Sequence, residues 1–418
     1  MINIIKRNFL IILCYKFFKL LIILFFTPII IIISLFKPIK IGFIFSKHLG
    51  TYGAALEILR CERKIIHKDE DSLYIWFKNE KTDNILLFSK LTNKDIILPS
   101  IILKPLFNFF YNNPYLKKKF LIPFRYNPKG INKLLTKEIS NISLSNKTEN
   151  NLWQMLDIHN LLGKVPTTIS LNNEEKKIGE EYLYLKNISG KKNFVLFSNR
   201  STAYKNEKID SSRNASILTQ LKAINYLIGN NYVAFRMGRK ESPKLPNDID
   251  KNIIDYAFDD NKSDILDLFL FSKSKFLICN AGGIDNFAVV FRKPKFVVDF
   301  TQFWDLNTTN SYLFPLLIPK IYKNSKTNEI LKFSKVFDLG LDKLSLEKLY
   351  SLGFDILDNT PEEILEGTKE MLDIINGKNL YSNDKQKKLW RMADEYSPNI
   401  GRFKISEFFF NKNKDLFN

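Results

Sequence analysis

Cysteine and histidine are scarce in this sequence, and each scarcity excludes something. Its 418 residues include three cysteines, Cys14, Cys61 and Cys279, widely spaced and without a CxxC pair. Neither a disulfide framework nor a zinc site is supported, and a reducing compartment fits. Only His48, His67 and His159 are available and no HExxH occurs, which argues against a histidine metal site, so no metal is expected. There is no GxGxxG, which disfavours a nicotinamide cofactor, no GxxxxGK[ST] phosphate loop and no GxSxG elbow. Long Gly, Ser or Pro tracts are missing too, so no segment reads as an extended disordered linker.

What is present is apolar material and positive charge. Hydrophobic residues make up 45%, enough to build cores throughout, and at this length a single core is outgrown, since cores stop growing near about 250 to 300 residues. Two domains plus an appendage are expected. The net charge of +19 raises the question of nucleic acid or an anionic membrane. A bias toward Lys, Asn and Ile, of the kind an AT-rich genome imposes, accounts for it equally. No RNA-recognition, zinc-finger or helix-turn-helix signature accompanies the charge, so nucleic acid is not an expected partner.

From Phe9 to Phe36 the chain is nearly all apolar, interrupted by Lys16 and Lys19. The cleanest stretch, Leu20 to Phe36, would span only about 25 Å as a helix against a hydrocarbon core of about 30 Å, so the turns before it must contribute or the segment lies partly in the interface. Lys6, Arg7, Lys16 and Lys19 precede that stretch, Lys37 and Lys40 follow it, and the first alanine is Ala54. A cleaved signal peptide is the alternative, but without a small-residue cleavage site an uncleaved anchor is favoured. Basic flanks suit anionic lipid of the cytoplasmic leaflet. A monotopic or re-entrant segment broken at Pro28 would keep the rest of the chain in the cytoplasm.

After this segment the pattern is α/β. Ile39 to Phe45 is a continuously apolar strand, as in a parallel sheet covered on both faces, followed by a loop and a helix over 54–63. Further strands are expected near Leu73 to Phe77 and Ile85 to Phe88, and a helix near Leu103 to Tyr111. A polar helix opens near Leu171, and from there strands alternate with helices. The expected strands are Asn193 to Phe197, Tyr232 to Phe235, Phe276 to Cys279 and Phe296 to Val298. A helix capped by Asp210, Ser211 or Ser212 should stop at Gly229, and Asp264 to Phe271 should form another. Thr360, Pro361 and Glu363 form a capping box starting a helix that ends at Gly377. Such alternation gives a doubly wound parallel sheet. The expected division is 1–37 anchor, 38–170 first domain, 171–378 second domain and 379–418 a helical segment that returns toward the first domain.

Ligands of an open parallel sheet bind outside the carboxyl ends of its strands. Those positions are polar here: His48, Arg200, Arg236, and the turn of Asn280, Ala281, Gly282, Gly283 and Ile284. A glycine pair entering a helix can bind a diphosphate through its amides, or be no more than a tight turn. Two arginines at the same rim favour an anionic ligand.

These residues resemble a bacterial family of surface-polysaccharide glycosyltransferases. The resemblance is carried by VLFSNRSTAYKNEKIDSSRNASILTQLKAINYLIGNNYVAFRMG, by NIIDYA, by SDILDLFLFSKSKFLICNAGGIDNFAVVFRKP, by the late DNTPEEI, and by SKHLGTYGAALEILR near the start. It covers roughly Ile39 to Gly377. Where the family has Ser-Gly or Thr-Gly, this chain has Asn-Ala-Gly-Gly, which removes a hydroxyl contact to phosphate.

The resemblance implies a GT-B architecture of two facing Rossmann-like domains, similar in layout to heptosyltransferases and protein fucosyltransferases. The second domain would hold the nucleotide sugar and the first a glycan or lipid-linked acceptor. No cofactor is implied, and the enzyme would sit at the inner membrane with its domains on the cytoplasmic side. Arg200 and Arg236 would neutralise the leaving diphosphate in place of a metal, joined by the Gly282 and Gly283 amides. Arg213 and Asn214 would face the ligand or hold the loop. Tyr204 would stack, hydrogen-bond or pack, and Gly238 and Asp255 would lie close by, Asp255 as a weak candidate for a base or a ribose contact. His48 would be the general base for the acceptor hydroxyl, or contact phosphate. A nucleotide-sugar epimerase and a non-catalytic assembly protein are the alternatives on the same scaffold.

Overall fold

The computed structural model describes residues 2–44, 46, 49–68, 71–78, 82–122, 157, 161–188, 190, 193–200, 211–240, 243–280, 282–301, 303, 316–378, 384–393 and 404–417. It divides into two compact units, Met1–Gln154 and Met155–Asn418.

Unit 1 opens with one helix, Ile2–Phe36, that continues through Pro28. The expected break there does not occur: a proline removes one main-chain bond, and the bonds on either side still hold the helix. One side of this helix is seated, with Ile22 and Ile30 buried and Phe26 packed on the core of the unit. These positions recur every four residues and so form one stripe.

Three parallel strands follow, β1 (Ile39–Ile44), β2 (Leu73–Lys78) and β3 (Ile96–Leu98), in that spatial order. Ile41 lies opposite Ile75 and Trp76 opposite Ile97. Gly42 is needed for this pairing, because a Cβ there would come within 2.1 Å of the Trp76 ring. Helix Leu49–Glu62 connects β1 to the segment before β2, and helices Ser100–Asn112 and Pro114–Phe120 cover the sheet with Leu106, Phe107, Phe110 and Phe120.

The expected strand at Ile85 to Phe88 is instead helix Ile85–Leu91. Asn84 caps it, its Oδ1 accepting the Leu87 N–H at 2.8 Å, and Leu87, Phe88 and Leu91 face inward at helical spacing. A run of four apolar residues cannot by itself tell strand from helix.

Unit 2 contains a seven-stranded, fully parallel sheet. In chain order its strands are β4 (Phe194–Ser198), β5 (Val233–Arg236), β6 (Ile253–Ile254), β7 (Phe276–Cys279), β8 (Lys295–Phe300), β9 (Leu316–Pro319) and, after a side hairpin of β10 (Ile321–Asn324) and β11 (Phe354–Leu357), β12 (Lys404–Ile405). Spatial order is β12-β9-β8-β7-β4-β5-β6. The chain therefore winds outward from β4 through β5 to β6, returns to place β7 on the other side of β4, and winds out again. That reversal is the mark of a doubly wound sheet.

Helices Asn173–Leu185, Leu221–Gly229, Asp264–Lys273 and Pro361–Ile375 fall in the segments expected to be helical. The expected cap of the helix ending at Gly229 moves to Ser216, whose Oγ accepts the Leu218 N–H, and the first turn is a 3-10 segment. Two boundaries also differ from expectation. Residues 155–170 belong with unit 2, where Arg292 Nε donates to the Val165 carbonyl at 3.1 Å and Ile169 and Leu171 are buried. The C-terminal segment is likewise part of unit 2 rather than a return to the first domain: β12 extends the sheet beside β9, and Phe409, Phe410, Leu416 and Phe417 enter its core.

Candidate functional site

Register places the carboxyl ends of the unit 2 strands on one rim. Phe197 lies opposite Arg236, Ser198 opposite Cys279, Cys279 opposite Val297, and Phe300 opposite Pro319. Asn199, Arg200, Gly238, Asn280, Asp299, Thr301 and Lys320 therefore crown the sheet at its carboxyl edge. Strand order reverses between β4 and β7, so the switch-point crevice in which such sheets bind ligands belongs at the ends of these two strands, beside Arg200 and Asn280.

Asn280, 2% exposed, joins the two sides of that crevice. Its Oδ1 accepts the Arg200 N–H at 2.6 Å and its Nδ2 donates to the Arg213 carbonyl at 2.6 Å. Two neighbours repeat the pattern. Lys320 Nζ donates to the Asn214 carbonyl at 2.6 Å, and Asn199 Nδ2 donates to the Ala215 carbonyl. Three consecutive carbonyls are thus held by side chains from the ends of β7, β9 and β4. The Ala215 N–H also donates to the Arg200 carbonyl at 3.1 Å, closing the loop onto the strand. Loop 211–215 is fixed over the rim, and Arg213 and Asn214 are placed beside Arg200 and Asn280.

The glycine turn lies next to this crevice. Gly282 is half-exposed and Gly283 exposed, and a Cβ at Gly282 would meet nothing nearer than the Asn280 carbonyl at 3.8 Å, so a ligand can approach the backbone closely. Ile284 precedes helix Asp285–Val290 and makes no side-chain cap. Asp285, in the first turn, would repel an anion if left alone. It is buried and paired with the fully buried Lys295 at 3.3 Å. Burial, with Asp285 beside it, pushes the Cys279 thiol far above its ordinary range and keeps it neutral.

Arg236 is placed differently from expectation. It is 1% exposed, with Nη1 donating to Asp255 Oδ1 at 2.9 Å and Nη2 to the Pro243 carbonyl at 2.9 Å. Asp255 Oδ2 in turn accepts the Leu245 N–H at 3.0 Å. This ion pair ties the excursion between β5 and β6 to the sheet, and the guanidinium is committed inside the protein instead of facing the rim. Gly238, with φ of +146°, sits next to it, and a Cβ there would lie 3.9 Å from Arg236 Nε. Glu57, on helix Leu49–Glu62 of unit 1, is fully buried. His48, Tyr204 and Ala281 lie outside the described residues.

Rim residues that sequence reasoning passed over are Asn199, Lys320, Asp299 and Asn359. Asp299 adopts φ of +53°, a left-handed conformation that glycine, asparagine and aspartate reach more readily than other residues. Its N–H donates to Asn359 Oδ1 at 2.6 Å, and its Oδ1 accepts the Asn359 N–H at 2.7 Å. Asn359 Nδ2 also donates to the Pro319 carbonyl at 2.9 Å, and Asp358 pairs with Lys320 at 2.6 Å. The DNTPEEI segment thus docks the start of helix Pro361–Ile375 onto the ends of β8 and β9. Burial raises the Asp299 carboxyl to about 6, against the opposing pull of Lys320. Several buried polar atoms without a hydrogen-bond partner among the described residues lie at this edge: Ser198 Oγ, Asn199 Oδ1, Asp299 Oδ2 and Thr301 Oγ1. Native proteins satisfy such atoms almost everywhere else.

No protein-family model matches the chain, and no curated protein matches it. Among solved structures it resembles a glycosyl transferase family 9 protein from Veillonella parvula, at 12% identity over 80% of this chain and 97% of that one, with a TM-score of 0.45. It resembles the E. coli ADP-heptose LPS heptosyltransferase II at 12% identity over 67% and 90%, TM-score 0.40. The S. aureus MnaA–UDP co-structure is similar at 14% identity over 87% and 92%, TM-score 0.35. The α/β fold with parallel sheets is read from the strand order above.

Proposed function

We propose that this chain is a glycosyltransferase of the GT-B type, which takes a sugar from a nucleoside-diphosphate donor and passes it to a surface-glycan acceptor without a bound metal. One observation carries the reading: at the point where strand order reverses, Asn280 links the Arg200 and Arg213 loops beside an open glycine turn. That combination brings two arginine-bearing segments and a glycine turn with open space at Gly282 to one place, and arginine side chains together with main-chain amides suit a pyrophosphate. As the glycosidic bond breaks, negative charge develops on the departing phosphate oxygen, and Arg200 with the Gly282 and Gly283 amides stabilises it. Arg236 acts behind this site by holding the segment around Pro243 and Leu245. Unit 1 receives the acceptor, and His48 takes the proton of its hydroxyl. The apolar helix Leu13–Phe36 is long enough to cross a membrane and keeps both units beside lipid-linked acceptors on the cytoplasmic side.

The test is incubation of the full chain in membranes with a panel of nucleotide sugars in the presence of EDTA. New glycolipid or glycan supports the proposal. An altered donor sugar without transfer identifies an epimerase, and no change with any donor leaves a non-catalytic protein; either result overturns it.

A further inference from the structure

We propose that the face of unit 1 formed by helices Ser100–Asn112 and Pro114–Phe120 rests on an anionic lipid bilayer beside the N-terminal helix. The inference is independent of sugar transfer. Its first support is the way these helices are divided. Leu106, Phe107, Phe110, Leu116 and Phe120 point into the core, yet the outward positions are not uniformly polar: Ile101 is 62% exposed, Phe109 38% and Tyr115 69%. Lys118 and Lys119 are exposed among them. Lys117 Nζ lies 4.4 Å from the Tyr111 ring centre and Lys119 Nζ 6.0 Å from that of Tyr115. Aromatic rings with lysines beside them are the composition of a membrane interface, where the ring sits at headgroup level and the flexible ammonium can reach phosphate.

Charge and position supply the second support. No Asp or Glu precedes Glu57, and none lies between Asp95 and Glu138, so both this face and the N-terminal helix are free of acidic residues of their own. The two are also contiguous: Phe26 and Ile30 of the N-terminal helix pack on the same core as Phe107 and Phe110, while Leu24, Phe25, Ile29 and Ile32 of that helix remain exposed. A bilayer that takes up the N-terminal helix therefore meets the adjoining helices at its surface, and lysines there favour anionic headgroups.

The test uses the full chain carrying Cys14→Ser, since Cys61 and Cys279 are buried. An environment-sensitive NBD label is placed at Phe109→Cys, at Tyr115→Cys, or at Tyr350→Cys, a control exposed in unit 2. Each protein is reconstituted into vesicles of phosphatidylcholine alone or mixed with phosphatidylglycerol. The labels at 109 and 115 should shift to the blue and be quenched by headgroup nitroxide lipids in the mixed vesicles, and the label at 350 should not. Adding Lys118→Glu and Lys119→Glu should weaken that engagement more than about tenfold, each lysine near an anionic surface being worth about fivefold. Water-like emission from both sites in both vesicles overturns the proposal. So does an equal shift in the two compositions, or a concentration-dependent shift without vesicles, which would mark self-association.

Discussion

Replacing Asn280 with alanine removes two hydrogen bonds at once and tests the geometry of the crevice. The residue is buried, and both of its bonds measure 2.6 Å. Alanine leaves the Arg200 N–H and the Arg213 carbonyl unmade, each costing about 1 to 3 kcal/mol when buried. Both contacts are only partly buried, which puts the total near the lower half of that range, about 2 to 4 kcal/mol. For a unit of this size that lowers Tm by about 5 to 10 °C. Aspartate separates the two bonds: it still accepts from Arg200, but sets a second carboxylate oxygen against the Arg213 carbonyl and brings negative charge to the crevice. Thermal unfolding and nucleotide titration of both variants give the readout. Alanine should weaken nucleotide binding, and aspartate should abolish it. Wild-type Tm in both variants, or wild-type nucleotide affinity in the aspartate variant, would refute the reasoning.

Two further outcomes follow from buried charge. Arg236→Ala strands Asp255 and releases the Pro243 carbonyl, and removing one partner of a buried pair costs about 3 to 5 kcal/mol; urea unfolding should show a clear loss of stability, and an unchanged midpoint would remove the structural role given to the pair. Asp299→Asn concerns pH. A carboxyl whose folded pKa, about 6, lies above its ordinary 3.8 binds its proton more tightly in the folded state, so its contribution to stability is present at low pH and lost as pH rises through about 6. Asparagine keeps an acceptor for the Asn359 N–H and tolerates the positive φ, so the variant should gain about 1 to 3 kcal/mol over wild type above pH 6. The gap should close toward pH 4, and a pH-independent difference in Tm would contradict it.

Much of the unit 2 fold was legible because its signals are local. Continuous apolar runs such as Phe194–Ser198 and Phe276–Cys279 announce buried parallel strands, and the Thr360 and Glu363 capping box marks its helix to the residue. The short helix at Ile85–Leu91 is hard to tell from a strand in sequence, because its apolar run is short and only the Asn84 cap and the spacing of Leu87, Phe88 and Leu91 mark it as helical. At the site, the rule that ligands gather at strand ends correctly placed Arg200, Asn280 and the glycine turn on the rim. The rule cannot say which side chains turn back into the protein. Arg236 does so because Asp255, nineteen residues later, arrives at its side through the β5–β6 crossover. Lys320 followed the same rule after β9, but its partners, the Asn214 carbonyl and Asp358, are distant in sequence and only the sheet brings them together.

Nucleotide binding by the full chain in EDTA tests the central claim most directly. Calorimetric titration with ADP, UDP, GDP and dTDP should find one that binds wild type, and Arg200→Ala should lose that binding while keeping the wild-type Tm. If no nucleoside diphosphate binds, or if Arg200→Ala binds as tightly as wild type, the rim between β4 and β7 is not a diphosphate site.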